Sequence, residues 1–331
     1  MPETSKQDFN KKTALGGSSI ISPEIARQLH TLSSQMIQEF PDALEDLVIV
    51  AAGTSTSKVI FAAPSIAVHM KEAMPHIEQF LKWQNAELRD AAAMSFGRQP
   101  LGKMSAQLIA INDDRNDDTS GITPEFTIYS LFHEIGHVVT RKGHSDYSHL
   151  RESMADAFAT LLYMQKFGRP ATEALHMREQ TAIGLMAGSA NHYTSNTIQA
   201  ALDFANKTGE SFSRLSLREL AEQAAHIADT TAFKSSTLGS IYTAYKPAQE
   251  TFYSGGGYKA LAQKVIEVMN DHNNDPDILL TGKRALNLPD MKEVVKAEAA
   301  AAKDSPFWQD ALEFLDDGVS KKTRSVPRLK S

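Results

Sequence analysis

Residues 123–159 read TPEFTIYSLFHEIGHVVTRKGHSDYSHLRESMADAFA, and the rest of the chain can be interpreted outward from them. Thr123 suits the N-cap of a helix and Pro124 suits its first turn. The apolar residues that follow predict a buried helix, which Gly143 would end. A second helix is predicted at about 147–167. Two consecutive helices joined by a short polar connection are therefore expected here.

The first of these helices carries the pattern HExxH. His133 and His137 lie four residues apart, so both imidazoles project from one face of the helix and can share a metal ion. Glu134 points about 100° away around the helix axis and can hold a water molecule without being a ligand. Because the neighbouring positions are apolar, burying these three side chains would be costly without an ion. The pattern predicts two zinc ligands and a general base.

A zinc site needs a third protein ligand, and its fourth position is left for water. The chain contains no cysteine, so this ligand must be a histidine or a carboxylate. Three candidates follow the motif: His144, His149 and Glu152. A metzincin arrangement is excluded, because Thr140 and Gly143 occupy the positions where it requires a glycine and a third histidine.

The second helix offers two carboxylates on one face. Glu152 and Asp156 are four residues apart, which places one above the other on a helix. One of them can bind the ion, and the other can accept the free N–H of a liganding imidazole and so fix its tautomer.

HEIGH at 133–137 followed by ESMAD at 152–156 resembles the gluzincin zinc metallopeptidases, in which a glutamate on the helix after HExxH is the third ligand. The resemblance covers Pro124 to Ala159 and indicates no subfamily, so it implies no particular substrate. The roles that it implies are zinc binding by His133, His137 and Glu152, general base catalysis by Glu134, and orientation of His133 by Asp156.

The expected function is that of a zinc-dependent metallopeptidase, which hydrolyses peptide bonds in a peptide or protein with a zinc-activated water and Glu134 as the base. Two alternatives stay open: a catalytically inactive zincin-fold interaction or regulatory module, and a zinc hydrolase of a non-peptide amide. Glu134 favours an enzyme, because a bound metal alone does not need it. His192 and Tyr193 are candidate catalytic donors to the oxyanion, with a capping or core role as the alternative for both.

The fold is predicted to be α+β. Four regions are expected: a flexible N-terminus at 1–20, a zincin-like lobe with a small sheet and the HExxH helix at 21–168, a mostly helical lobe at 169–318, and a basic tail at 319–331. The runs 47–50 and 59–61 predict a hairpin, and 107–111 predicts a further strand. This last strand is either an edge that aligns an extended substrate or an ordinary interior strand. Other helices are predicted at 23–40, 67–92, 172–187, 196–207, 216–228, 259–270 and 289–303.

Composition limits the remaining classes of function. The 331 residues are 42% hydrophobic and 22% charged, which is ordinary for a folded protein. The net charge of −6 argues against a nucleic-acid or membrane-surface role for the chain as a whole. No apolar run resembles a signal peptide or a spanning helix. A cytoplasmic location is expected, with export by a dedicated secretion system as the alternative.

Overall fold

The computed structural model describes residues 21, 23–53, 57–84, 93–112, 124–140, 148–182 and 190–315. The predicted flexible N-terminus and basic tail lie outside these residues, as does the candidate ligand His144. The chain has two compact units, which are treated separately below: an N-terminal unit, Met1–Val139, and a C-terminal unit, Thr140–Ser331.

The N-terminal unit contains a four-stranded mixed sheet in the order β2-β1-β4-β3. Its strands are β1 (Leu47–Ala52), β2 (Ser57–Ala62), β3 (Ala93–Leu101) and β4 (Met104–Asn112). Strand β1 pairs antiparallel with β2, as the sequence predicts, and parallel with β4. All six residues of β1 are buried, in keeping with its continuous apolar sequence.

Strand β4 settles the open question about residues 107–111. It pairs with β1 on one side and with β3 on the other, so it is an interior strand and not an edge. The edge beside it is β3, for which the sequence gives no strand signal. Gly97 and Pro100 hide this strand, since both residues are uncommon in strand interiors. Its register shifts between Ser95 and Gly97, where Gly97 has a φ of +69°, which marks a β-bulge.

Five described helices accompany this sheet: α1 (Pro23–Glu39), α2 (Pro41–Leu44), α3 (Pro64–Ala67), α4 (Met70–Trp83) and α5 (Pro124–Val139). Helix α5 carries the HExxH motif and packs against β3 and β4. It buries large apolar side chains on most of its circumference, including Tyr129, Phe132 and Ile135. The helix that holds the motif is therefore fixed to the sheet.

The described part of the C-terminal unit is helical. Its α-helices are α6 (Ser148–Phe167), α7 (Thr172–Ala182), α8 (Ser195–Thr208), α9 (Leu217–Thr231), α10 (Ser235–Thr251), α11 (Gly257–Asp271), α12 (Pro276–Leu286), α13 (Pro289–Ala301) and α14 (Pro306–Leu312). The sequence predicts helices at most of these positions but misses α10, α12 and α14. Helix α6 packs against α8 and α9 and is buried along most of its length.

A large apolar cluster forms a core within this unit. Tyr193, Ile241, Tyr245, Leu261 and Val265 are among its members, each no more than 1% exposed. The residues 190–194 enter this core through Tyr193. Within the described residues, no helix combines the length and the hydrophobicity that crossing a lipid bilayer would require.

Candidate metal centre

The two histidines of the motif lie side by side on α5. The centroids of the His133 and His137 rings are 4.6 Å apart, as expected for residues one helical turn apart. His133 is 4% exposed. The helix cannot rotate about its axis without exposing the apolar side chains that pack against the sheet. The face that carries both rings therefore has a fixed orientation relative to the sheet.

Glu134 contacts the edge strand of the sheet. The backbone N–H of Ser95 donates a hydrogen bond of 2.8 Å to Oε2 of Glu134. Ser95 is itself held by Gln107 on β4, whose Nε2 donates to Ser95 Oγ at 3.1 Å. The bulge that begins at Ser95 changes the direction of the strand at this point. The glutamate is therefore oriented by the strand as well as by its own helix.

The two carboxylates of α6 contact other parts of the C-terminal unit. Nε2 of His192 lies 3.3 Å from Oε2 of Glu152. Asp156 is fully buried and accepts two hydrogen bonds from the guanidinium of Arg178, at 2.8 and 3.0 Å. The hydroxyl of Thr194 also donates to Asp156. Such charge-assisted, two-point pairing holds the Asp156 carboxylate in one orientation.

His149, the alternative third ligand, has both ring nitrogens close to backbone groups. The N–H of Phe233 donates to Nε2 at 3.1 Å, so this nitrogen carries no proton. Nδ1 must then be the protonated nitrogen, and it donates to the carbonyl of Asn191 at 2.8 Å. Burial lowers the pKa of His149, although the Asn191 carbonyl opposes this effect. These contacts indicate a neutral, structural histidine.

The structure brings three of the predicted ligands together. One ligand atom each from His133, His137 and Glu152 lies within 4.8 Å of the other two, and this group could hold a metal ion. Among the described residues, no other group of three or more histidine or carboxylate side chains is close enough together to hold an ion. The group does not include His149.

His192 and Tyr193, the predicted oxyanion donors, occupy different environments. The side chain of His192 is 36% exposed. Tyr193 is completely buried, its hydroxyl lies 2.9 Å from Oγ1 of Thr281, and burial raises its pKa. Their role in catalysis stays a prediction.

Sequence reasoning missed two partners of the predicted site residues. The first is the N–H of Ser95, a backbone donor that leaves no mark in the sequence. The second is Arg178, which lies in a helix with no unusual pattern. Arg178 lies 22 residues from Asp156 in sequence, so no local pattern indicates their pairing.

Comparisons with models of protein families, with curated proteins and with solved structures found no match. A functional assignment must therefore be argued from the residues of the site.

Proposed function

We propose that this protein is a zinc-dependent metallopeptidase with a gluzincin-type site on a zincin-like fold. The observation that carries the proposal is the grouping of His133, His137 and Glu152, with Glu134 adjacent in sequence to the first of them. The edge strand β3 supports a peptide as the substrate. An extended chain can add to an exposed strand edge by backbone hydrogen bonds.

Zinc fits the donor set better than a harder ion does. Two imidazole nitrogens and one carboxylate oxygen are a common zinc set in enzymes, whereas calcium and magnesium prefer oxygen ligands alone. The buried position of His133 also suits an ion, since a dry environment strengthens electrostatic interactions. When bound, zinc would polarise the scissile carbonyl and lower the pKa of water towards ~7.

The protein supplies the proton transfers. Glu134 accepts a proton from the attacking water and later delivers it to the leaving amide nitrogen. Its hydrogen bond from Ser95 limits rotation of the carboxylate and stabilises the charged form that a base needs. Of the two predicted oxyanion donors, His192 is the better candidate, because Tyr193 could reach a substrate only if it left the core.

The substitution Glu134→Gln tests the proposal. The variant should keep its zinc, about one ion per chain, because Glu134 is not a ligand. Its rate of peptide cleavage should fall about 10²- to 10⁴-fold, because the general base is lost. The measurement combines metal analysis with a cleavage-site survey on a peptide library prepared from a whole proteome.

Glu125→Gln, on the same helix, is the matched control and should cleave like the wild type. Equal rates for the wild type and Glu134→Gln would overturn the catalytic role. A wild-type protein that binds zinc but cleaves no peptide would instead support the interaction module or the non-peptide amidase.

A further inference from the structure

Three side chains on one face of α6 all contact the same short segment, residues 190–194. His149, Glu152 and Asp156 are spaced by three and four residues, so they project from one side of the helix. Asn191 accepts from His149 through its carbonyl, His192 approaches Glu152, and Thr194 donates to Asp156. Three side chains on successive turns of this face of α6 are thus contacted by one segment of five residues.

The segment 190–194 is itself firmly anchored. Tyr193 lies in the apolar core, and its ring stacks on Phe233 with centroids 5.4 Å apart. Phe233 stacks in turn on His149, at 6.1 Å, and its N–H donates to the same histidine. The Tyr193 hydroxyl contacts Thr281 on α12. Since these groups are almost fully buried, the segment has little freedom to move relative to α6.

Thr194 shows that the contact with α6 takes precedence over local helix stability. It occupies the N-cap of α8, where a threonine hydroxyl ordinarily accepts a backbone N–H of the first turn. Here the side chain makes no capping hydrogen bond, and the hydroxyl donates to Asp156. The Thr194 hydroxyl therefore bonds to a buried carboxylate instead of capping α8.

We propose that the segment 190–194 positions the carboxylates of α6 for metal binding, with His149 and Thr194 as the positioning residues. This inference rests on the proposed function, because Glu152 is one of the three proposed ligands. His149 holds the backbone next to His192, and His192 in turn restricts the Glu152 carboxylate. Thr194 and Arg178 together hold Asp156, the acid to which the gluzincin resemblance assigns the orientation of the ligand His133. A ligand that is already oriented loses less conformational entropy when the ion binds, so the segment raises the affinity for zinc.

The test measures zinc affinity by competition with a chromophoric chelator, using the full chain and a pair of Thr194 variants. Thr194→Val keeps the shape but loses the hydroxyl, and its zinc affinity should fall about tenfold or more. Thr194→Ser keeps the hydroxyl and should bind zinc like the wild type. His149→Phe removes both hydrogen bonds while keeping an aromatic ring beside Phe233, and its affinity should fall about 10- to 100-fold.

Tyr245→Phe is the control for a general loss of stability. It removes a buried hydrogen bond to the carbonyl of Ile278 in the same unit and should leave zinc affinity unchanged. The absorption spectrum of the Co²⁺-substituted protein gives a second readout, because it responds to ligand geometry. It should change in Thr194→Val and His149→Phe and stay the same in Thr194→Ser and Tyr245→Phe.

The outcomes separate this inference from the proposed function. If the wild type takes up no zinc, the proposed function itself is wrong. If the wild type binds zinc and Thr194→Val binds it equally well, the positioning role is overturned while the metal site stands. Equal weakening by Thr194→Ser and Thr194→Val would also overturn it, because the hydroxyl would then not matter.

Discussion

At the scale of single residues, the C-terminal unit buries an acid that plays no part in the candidate site. Oε1 of Glu179 lies 4.0 Å from Nε of Arg284, and the two side chains are 12% and 18% exposed. Burial raises the pKa of Glu179 to about 7, although the charge of Arg284 acts in the opposite direction. Arg284 also donates to Asn196 at 2.5 Å. The desolvation of the carboxylate thus outweighs its attraction to the guanidinium.

Glu179 should make the stability of the protein depend on pH. Since its pKa in the folded state lies above the ordinary value of 4.5, its favourable contribution is complete below 4.5 and is lost as the pH rises through about 7. Glu179→Gln cannot ionise and avoids this loss. The free energy of unfolding of the wild type, relative to Glu179→Gln, should fall by up to about 3 kcal/mol between acidic and mildly alkaline pH.

Urea unfolding of both proteins across this pH range measures the effect. Glu222→Gln, at an exposed position of α9, is the control, and its difference from the wild type should not vary with pH. A constant difference between the wild type and Glu179→Gln would contradict the prediction.

At the scale of elements, the packing of α12 against α10 and α11 depends on a glycine. A Cβ at Gly282 would lie 2.4 Å from the hydroxyl of Tyr245 and 2.4 Å from Cγ of Met269. Both of these side chains are about 1% exposed, so they have little space into which to move. A Cβ at Gly239, on α10, would meet nothing within 4 Å. An added methyl group would therefore be too close to its neighbours at Gly282, whereas there is space for it at Gly239.

Gly282→Ala should destabilise the protein by about 1–3 kcal/mol, because the added methyl group overpacks the contact between helices. Gly239→Ala should stabilise it by about 0.5–1 kcal/mol, because alanine loses less backbone entropy in a helix. Chemical denaturation of both variants gives the two free energies. Two changes of the same sign would show that the close approach at Gly282 is not limiting.

At the scale of the whole molecule, a bound ion should stabilise the folded chain. The three proposed ligands come from positions as far apart as 133 and 152, and an unfolded chain does not hold them together. An ion that binds only the folded state stabilises it in proportion to the logarithm of its concentration over Kd. Metal content and resistance to unfolding should consequently change together.

Adding zinc to metal-free protein should raise the free energy of unfolding by about 2.7 kcal/mol at a hundredfold excess over Kd. Glu152→Ala should lose most of this gain, whereas His272→Ala, at an exposed position outside the group, should keep it. Thermal unfolding with and without a chelator provides the measurement. A wild-type transition that zinc does not shift would contradict the metal site.

Some features of this protein follow from local sequence. The spacing in HExxH places His133 and His137 on one face of a helix wherever that helix lies, because 3.6 residues per turn is a local property. The hairpin of β1 and β2 is likewise predicted from two short β-rich runs and the turn between them. Helix α6 and its carboxylates Glu152 and Asp156 are predicted in the same way.

Other features were decided by tertiary structure alone. Ser95 donates to Glu134 across 39 residues, and neither residue type reveals this bond, because every residue but proline carries a backbone N–H. Edge strand β3 contains a glycine and a proline, and it forms because it pairs with β4 along nearly its whole length, from Ala93 to Leu101, apart from the bulge before Gly97. His149 was a possible ligand by sequence, and its role depends on the carbonyl of Asn191 and the N–H of Phe233. Local geometry sets which side chains share a helix face, whereas long-range packing selects the groups that they meet.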